Sequence, residues 1–236
     1  MNVLQVIQAF CGRTGLPSPS YVAGNTDLQV LQLLALLNEV GEDLTGRAYK
    51  WKVLTREASF LTVAAEVQGT LTTLAPFAFR SIIEDTIFNR TRNLKVFGPV
   101  NNADWQAVKS AGFTGTVANY RIRGGQLLFI PAPTAGDSCY FEYASRAPFL
   151  AIDGVTYKEY ADADTDTFIL PARLALAGLR WKWKYEQGLD YAEDMITYSE
   201  AVATEMGLDG TKPTLSLAPD SRVGPSIQVA LWNTVP

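Results

Sequence analysis

FILPARLALAGLRWKWKYEQGLDYAEDMITYSEAVATEMG, residues 168–207, is the one stretch long enough and rich enough in helix formers to be the spine of this chain. Pro171 suits the first turn of a helix and Gly207 suits its C-terminal stop. Leu174, Trp181, Tyr185, Ala192, Met195, Val202 and Met206 follow one another at three, four or seven residues and mark a buried stripe. A second row, Leu176, Leu179, Trp183 and Leu189, lies on another side. Two apolar faces need two partners. One is the rest of the chain; the other is either more of the same core or a second chain, because exposed aromatic patches mark interfaces. Gly178 and Gly188 each cost about 1 kcal/mol relative to Ala inside a helix. Gly188 is therefore expected to kink or split the spine, and Gly178 to let a neighbour pack closely.

Upstream, FLAIDGVTYKEYADADTDT (149–167) leads into the spine. Asp162, Asp164 and Asp166 look like the start of a calcium loop, but Thr167 stands where Gly is needed and Arg173 where Glu is needed. A solvated acidic loop before a helix N-terminus is the expectation, with a loose metal site as the alternative. From Tyr49 onward, β-branched and aromatic residues alternate with polar ones, as in half-buried strands. Gly124-Gly125 suits a tight hairpin turn between Tyr120–Arg123 and Gln126–Phe129, and Tyr140–Tyr143 is expected to add a third strand. A short helix is expected near Ala103–Ser110, capped by Asn101 or Asn102. With few crossover helices, the sheet should be mainly antiparallel and close as a small sandwich or barrel.

Further upstream, residues 2–11 read as a short helix, and Thr26 or Asp27 caps a second one whose leucines cover most of its circumference. That helix is expected to be sandwiched between the first helix and the spine, with Asn38, Glu39, Glu42 and Asp43 as its wet end. The expected class is α+β. Its parts are an N-terminal helical part (1–48), an inserted β-rich domain (49–167), the helical spine (168–206) packing on 1–48, and an extended arm (207–236). The arm carries Leu215, Leu217, Ile227, Val229, Leu231 and Trp232, which call for a surface: its own β-domain, a neighbouring copy or another protein.

Composition narrows the function. The chain has 236 residues, 47% of them hydrophobic, a formal charge of −4, two cysteines and no histidine. Without histidine there is no Ser-His-Asp or Cys-His nucleophile system, no His-ligated zinc, and none of the commonest general base at neutral pH. Cys11 and Cys139 lack metal-ligand spacing and read as small buried residues. No phosphate loop, dinucleotide fingerprint or G-x-S-x-G elbow is present, so no cofactor is expected. The longest apolar run, LQVLQLLALL (28–37), is too short for a membrane span, and the N-terminus lacks the features of a secretory signal, so a cytoplasmic protein is expected. In RWKWKYE the residues Arg180, Trp181, Trp183, Lys184 and Tyr185 have the chemistry of a binding interface. The plainer alternative is cationic side chains flanking aromatics on a packed helix.

Four segments in order resemble a known family: the helix ending NEVGEDLTGR, DTIFNRTRNLKVFGPVNNADWQAVKS, YRIRGGQLLFIPAPTAGDSCYFEYASRAP, and ILPARLALAGLRWKWKYEQGLDYAEDMITYSEAVA. Together, over residues 30–206, they resemble the head-to-tail adaptor proteins of short-tailed bacteriophages. The resemblance implies a structural virion protein rather than an enzyme. It implies a homo-oligomeric ring, usually a dodecamer, that joins the portal protein to the tail nozzle or tail tube and assembles in the host bacterial cytoplasm. DNA would pass through its channel without sequence-specific binding, and a net negative wall suits that role. A carbohydrate-active or carbohydrate-binding β-domain is the alternative from another class, although no carboxylate pair stands out.

Overall fold

The computed structural model describes residues 1–112, 115 and 117–210. Helix α1 (Val3–Thr14) buries Val3, Val6, Ile7 and Phe10 on one face. A capping box starts it: the Gln5 N–H donates to Asn2 Oδ1 at 2.8 Å and the Asn2 N–H to Gln5 Oε1 at 3.1 Å. Helix α2 (Leu28–Gly46) is capped by Asp27, whose side chain accepts from the Gln29 N–H at 2.9 Å.

The chain then enters a β-domain. In order, its elements are β1 (Thr55–Leu61), β2 (Val67–Thr70), the single turn α3 (Leu71–Leu74), β3 (Phe79–Ile82), β4 (Phe88–Asn89) and β5 (Leu94–Lys95). Helix α4 (Asn102–Ser110), β6 (Asn119–Arg123), β7 (Gln126–Ile130) and β8 (Ser138–Ser145) complete it. Asn101 caps α4, accepting from the Asp104 N–H at 2.8 Å. Gly124 and Gly125, at φ 58° and 73°, make the expected tight turn between β6 and β7. One sheet is ordered β1-β8-β4-β5, with β3 also on β8, and the other β2-β7-β6; all these strand pairs are antiparallel. Their inner faces share one apolar core containing Ile82, Tyr120, Leu127, Phe129, Phe141 and Tyr143.

Tyr140–Tyr143 does not extend the β6–β7 hairpin. It lies in β8, paired along β1 from Thr55↔Ala144 to Leu61↔Ser138, in the other sheet. The connection 131–137 contains Pro131, Pro133 and Gly136 and is too long for a tight hairpin turn, so the chain crosses the sandwich instead.

Residues 149–168 return to the helices as a small antiparallel sheet of β9 (Phe149–Leu150), β10 (Tyr157–Lys158) and β11 (Thr167–Phe168). Phe149, Ala161, Phe168 and Leu170 belong to the helical core with Leu37, Val40, Leu174 and Leu179. The acidic stretch is a solvated loop only in part, with the Asp162 side chain 74% exposed. Asp166 is 1% exposed; it accepts from Lys158 Nζ at 3.0 and 3.1 Å and from the N–H groups of Asp162 and Ala163 at 3.1 and 3.0 Å. Asp164 Oδ1 accepts from the Val22 and Ala23 N–H groups at 2.9 and 2.7 Å, and Asp162 pairs with Lys158. Asp166, the buried one, thus has backbone donors and a lysine for its charge, as burial requires.

The spine is two helices, α5 (Ala172–Glu186) and α6 (Ala192–Asp209), folded back at Gly188, which takes φ 67°. The second apolar row of the spine is therefore covered from within the chain only in part: Leu176 and Leu179 are buried, Trp183 is half-buried and Leu189 is 49% exposed. It is α5 that is sandwiched, against α1, α2 and α6, while Leu28 and Leu31 of α2 are 83% and 42% exposed. Gly178 sits at the tightest point: a Cβ there would lie 2.7 Å from both Val40 methyl carbons and 3.2 Å from Tyr198 Cε2.

Two predictions follow from this core. Gly178→Ala gains about 1 kcal/mol of helix propensity but overpacks a closed contact at a cost of about 1–3 kcal/mol, so a net loss of up to about 2 kcal/mol is expected in urea unfolding. The second concerns alkali. Burial, then the Asp43 carboxylate, raises the Tyr198 phenol above its ordinary range. Burial foremost raises Tyr120 and Cys139 to about 12 each, with Glu84 and Asp85 adding to the first and Asp137 to the second. The fold holds the neutral forms, so their contribution is complete below the unfolded values, about 10 for tyrosine and about 8.5 for cysteine. It is lost as pH rises through the folded values. Unfolding free energy should fall between pH 8 and 11, and less steeply in Tyr198→Phe, which also loses about 1–3 kcal/mol at pH 7 with its 2.8 Å hydrogen bond to Asp43.

Candidate functional site

The side chains on one flank of α5 repeat at three and four residues as Arg173, Leu176, Ala177, Arg180, Trp183 and Lys184. Phe10, Arg13 and Thr14 at the end of α1 form one wall, and Asp194 and Thr197 of α6 the other, enclosing an open groove of about 570 Å³. Its floor is apolar: Trp183 meets Phe10 edge to face at 5.9 Å. Asp194, in the first turn of α6 where the helix dipole favours a carboxylate, accepts from Arg180 Nε at 3.0 Å and Lys184 Nζ at 2.5 Å. Four cations thus face one carboxylate, and among the described residues Arg13 and Arg173 join no ion pair. In a chain of net charge −4 this is a local basic patch.

Of the residues the sequence singles out, Arg180, Trp183 and Lys184 come together in this groove. Trp181 lies apart, tilted against Tyr198 at 6.1 Å and Tyr185 at 6.5 Å, with its Nε1 buried and unpaired. Tyr185 is 55% exposed and meets Tyr191 edge to face at 5.2 Å. Both tryptophans pack against the helical core, so truncating either disturbs stability as well as surface. Leu215, Leu217, Ile227, Val229, Leu231 and Trp232 lie outside the described residues.

Lys182 is the residue whose position the sequence hides. It is 8% exposed, its Nζ 2.6 Å from Glu39 and over the Trp181 ring at 4.8 Å. Glu39 is solvent-exposed, as expected of a wet helix end, and is at the same time the counter-charge of a buried lysine; Asn38 accepts from the Ala161 N–H at 2.8 Å.

A second surface lies on the outer face of the larger sheet, a shallow cleft of about 510 Å³. Glu57 and Glu142 stand directly opposite each other across β1 and β8, an unfavourable like-charge pair. Arg90 pairs with Glu57 and stacks on Tyr140 at 3.6 Å, with Phe88 exposed beside them. The alternation in TREASFL and SCYFEYAS places each glutamate on an outward face; only the register brings them together. Among the described residues no group of three or more His, Cys, Asp or Glu side chains could hold a metal ion.

The Lys182–Glu39 pair is asymmetric, since the side chains are 10% and 55% exposed. Glu39→Ala strands a buried cation and should cost about 2–3 kcal/mol, whereas Lys182→Met leaves only a solvated glutamate and should cost under about 1 kcal/mol. Equal losses in chemical denaturation would contradict this account of the pair. No protein-family model matches the chain, and no curated protein matches it significantly.

Proposed function

We propose that this chain is a structural virion protein, a head-to-tail adaptor whose copies form a ring between the portal and the tail nozzle or tail tube, around a channel through which DNA passes. The observation that carries the reading is the architecture: a helical frame with an inserted antiparallel sandwich, as the resemblance implies, leaving an open basic groove on the frame.

The segments that carry the resemblance have identifiable places in this fold. Asn89 and Thr91 of DTIFNRT, with Arg92, hold the loop that follows FIPAP: Asp137 accepts from Asn89 Nδ2 at 2.9 Å and Arg92 Nε at 2.6 Å, and the Ser138 N–H donates to Thr91 at 2.8 Å. In W-Q-x-x-K-S, Trp105 is fully buried and Lys109 pairs with Glu66 at 2.7 Å. GLDYAED supplies both the Gly188 turn and the Asp194 carboxylate of the groove. The net charge of −4 suits a wall that must not retain DNA, and no helix among the described residues is long and apolar enough to cross a membrane. In this reading the protein assembles in the cytoplasm of the host bacterium, ends at the head–tail junction of the virion, and needs no cofactor. The arm, 207–236 by sequence, of which α6 takes in the residues up to Asp209, docks on the portal or on a neighbouring copy.

The test is the mass in solution of the purified chain, alone and mixed with the portal protein encoded near it. A ring of about twelve copies on mixing, visible by negative stain, is the expected result, and deletion of residues 211–236 should preserve solubility while weakening attachment. A monomer that ignores the portal, together with a glycan-dependent rise in melting temperature that Glu57→Gln removes, would favour the carbohydrate alternative instead.

A further inference from the structure

We propose that the basic groove receives the outward face of α6 from a second copy of this chain, in a head-to-tail contact. This rests on the ring reading above and specifies which faces meet. From Ala192 to Asp209, α6 contains five carboxylates and no lysine or arginine. Tyr198, Ala201 and Val202 point inward and are buried. Glu193, Ile196 and Glu200 recur at three and four residues on the far side, all exposed, with Ile196 at 56%. The result is an apolar knob between two carboxylates.

The groove has the complementary character. Arg13, Arg173 and Arg180 are exposed around the apolar surface of Trp183 and Leu189. An amphipathic helix laid in a groove uses this spacing of anchors. The chain cannot fill its own groove with this face, because the inward face of the same helix is packed on α5. A second copy satisfies both patches at once and in equal number, whereas an unrelated acidic partner would leave the α6 face uncovered. The two patches differ, so the contact is heterologous, the type that closes into rings when the rotation between copies allows.

The test uses two full-length variants, Arg13→Glu/Arg173→Glu and Glu193→Lys/Glu200→Lys, each checked for an unchanged melting temperature. Their association is followed by sedimentation velocity beside the original chain, with and without the portal protein. The original chain should associate and should dissociate as salt rises from about 0.05 M to about 1 M. Each variant alone should associate at least roughly tenfold more weakly. A 1:1 mixture should recover association, because the reversed groove of one meets the reversed α6 of the other while the unaltered faces still match. Association of either variant at the original strength, or a mixture that recovers nothing, overturns the contact. Rings that persist in both variants overturn it while leaving the adaptor reading intact; an original chain that never associates, even with the portal, overturns both.

Discussion

The close approach of α5 to α2 at Gly178 sets the geometry of the helical frame. Any side chain larger than hydrogen at that position would meet both Val40 methyl groups, so the helix axes can be this near only at a glycine. Several neighbouring contacts depend on the approach. Tyr198 of α6 lies against the same glycine, and its hydroxyl reaches Asp43 of α2 at 2.8 Å. Lys182, one turn further along α5, lies beside α2 and reaches Glu39 at 2.6 Å. Gly41, the residue after Val40, repeats the device on another side of α2, where Pro148 and Phe149 bring the small sheet against the helix. A helix of fifteen residues with three helical neighbours needs such small residues, since each neighbour claims part of its circumference.

The β-domain is held to this frame by polar groups at its margins. Arg80 donates to the carbonyls of Thr45 and Gly46 and so satisfies the open C-terminal end of α2. Asp209, at the end of α6, accepts from the Tyr49 hydroxyl at 2.9 Å and from the Lys52 N–H at 3.0 Å, where the chain enters the β-domain. On the returning side, the Val3 N–H donates to the Asp166 carbonyl at 2.8 Å and the Phe168 N–H to the Met1 carbonyl at 3.1 Å. Asp164 and Asp166 thus act as a knot that joins the first helix, the 22–23 loop and the strand leading into the spine. A carboxylate that accepts several backbone N–H bonds is well placed for this, since each bond to an ionised acceptor is stronger than a neutral one.

Much of this fold could be read from local signals. The change from helical to alternating periodicity near Tyr49, the Asn101 cap, the Gly124-Gly125 turn and the break at Gly188 all depend on residues within a few positions of one another. What could not be read depends on long-range partners. The strand at 140–143 has the same alternation whether it extends the hairpin or crosses to the other sheet, and only the loop before it decides. Lys182 sits among aromatics as a surface lysine would, and nothing within α5 reveals that Glu39, 143 residues away, will cover it. In the groove, Arg180, Trp183 and Lys184 were legible as a cluster of cationic and aromatic side chains. Arg13 and Arg173 were not, because they join the cluster only when α1 lies beside α5.

The net charge of −4 is an average over strongly sorted regions, and the sorting bears on function more than the sum does. One side of the helical hairpin gathers cations around exposed aromatic and aliphatic carbon, and the other carries only acids. Exposed charge pairs contribute only about 0.2–1 kcal/mol each, so a single contact between such faces is weak. In a closed ring every copy makes the contact twice, and the last copy gains both contacts for one loss of translational freedom. In the ring proposed above, weak, charge-matched faces would favour complete rings over short chains of copies, with closure waiting for enough subunits or for a partner ring that templates it. Strong apolar anchors at the same place would trap partial assemblies; here Trp181 packs against the core outside the groove, and Trp183 offers the groove only the part of its surface that the core leaves uncovered.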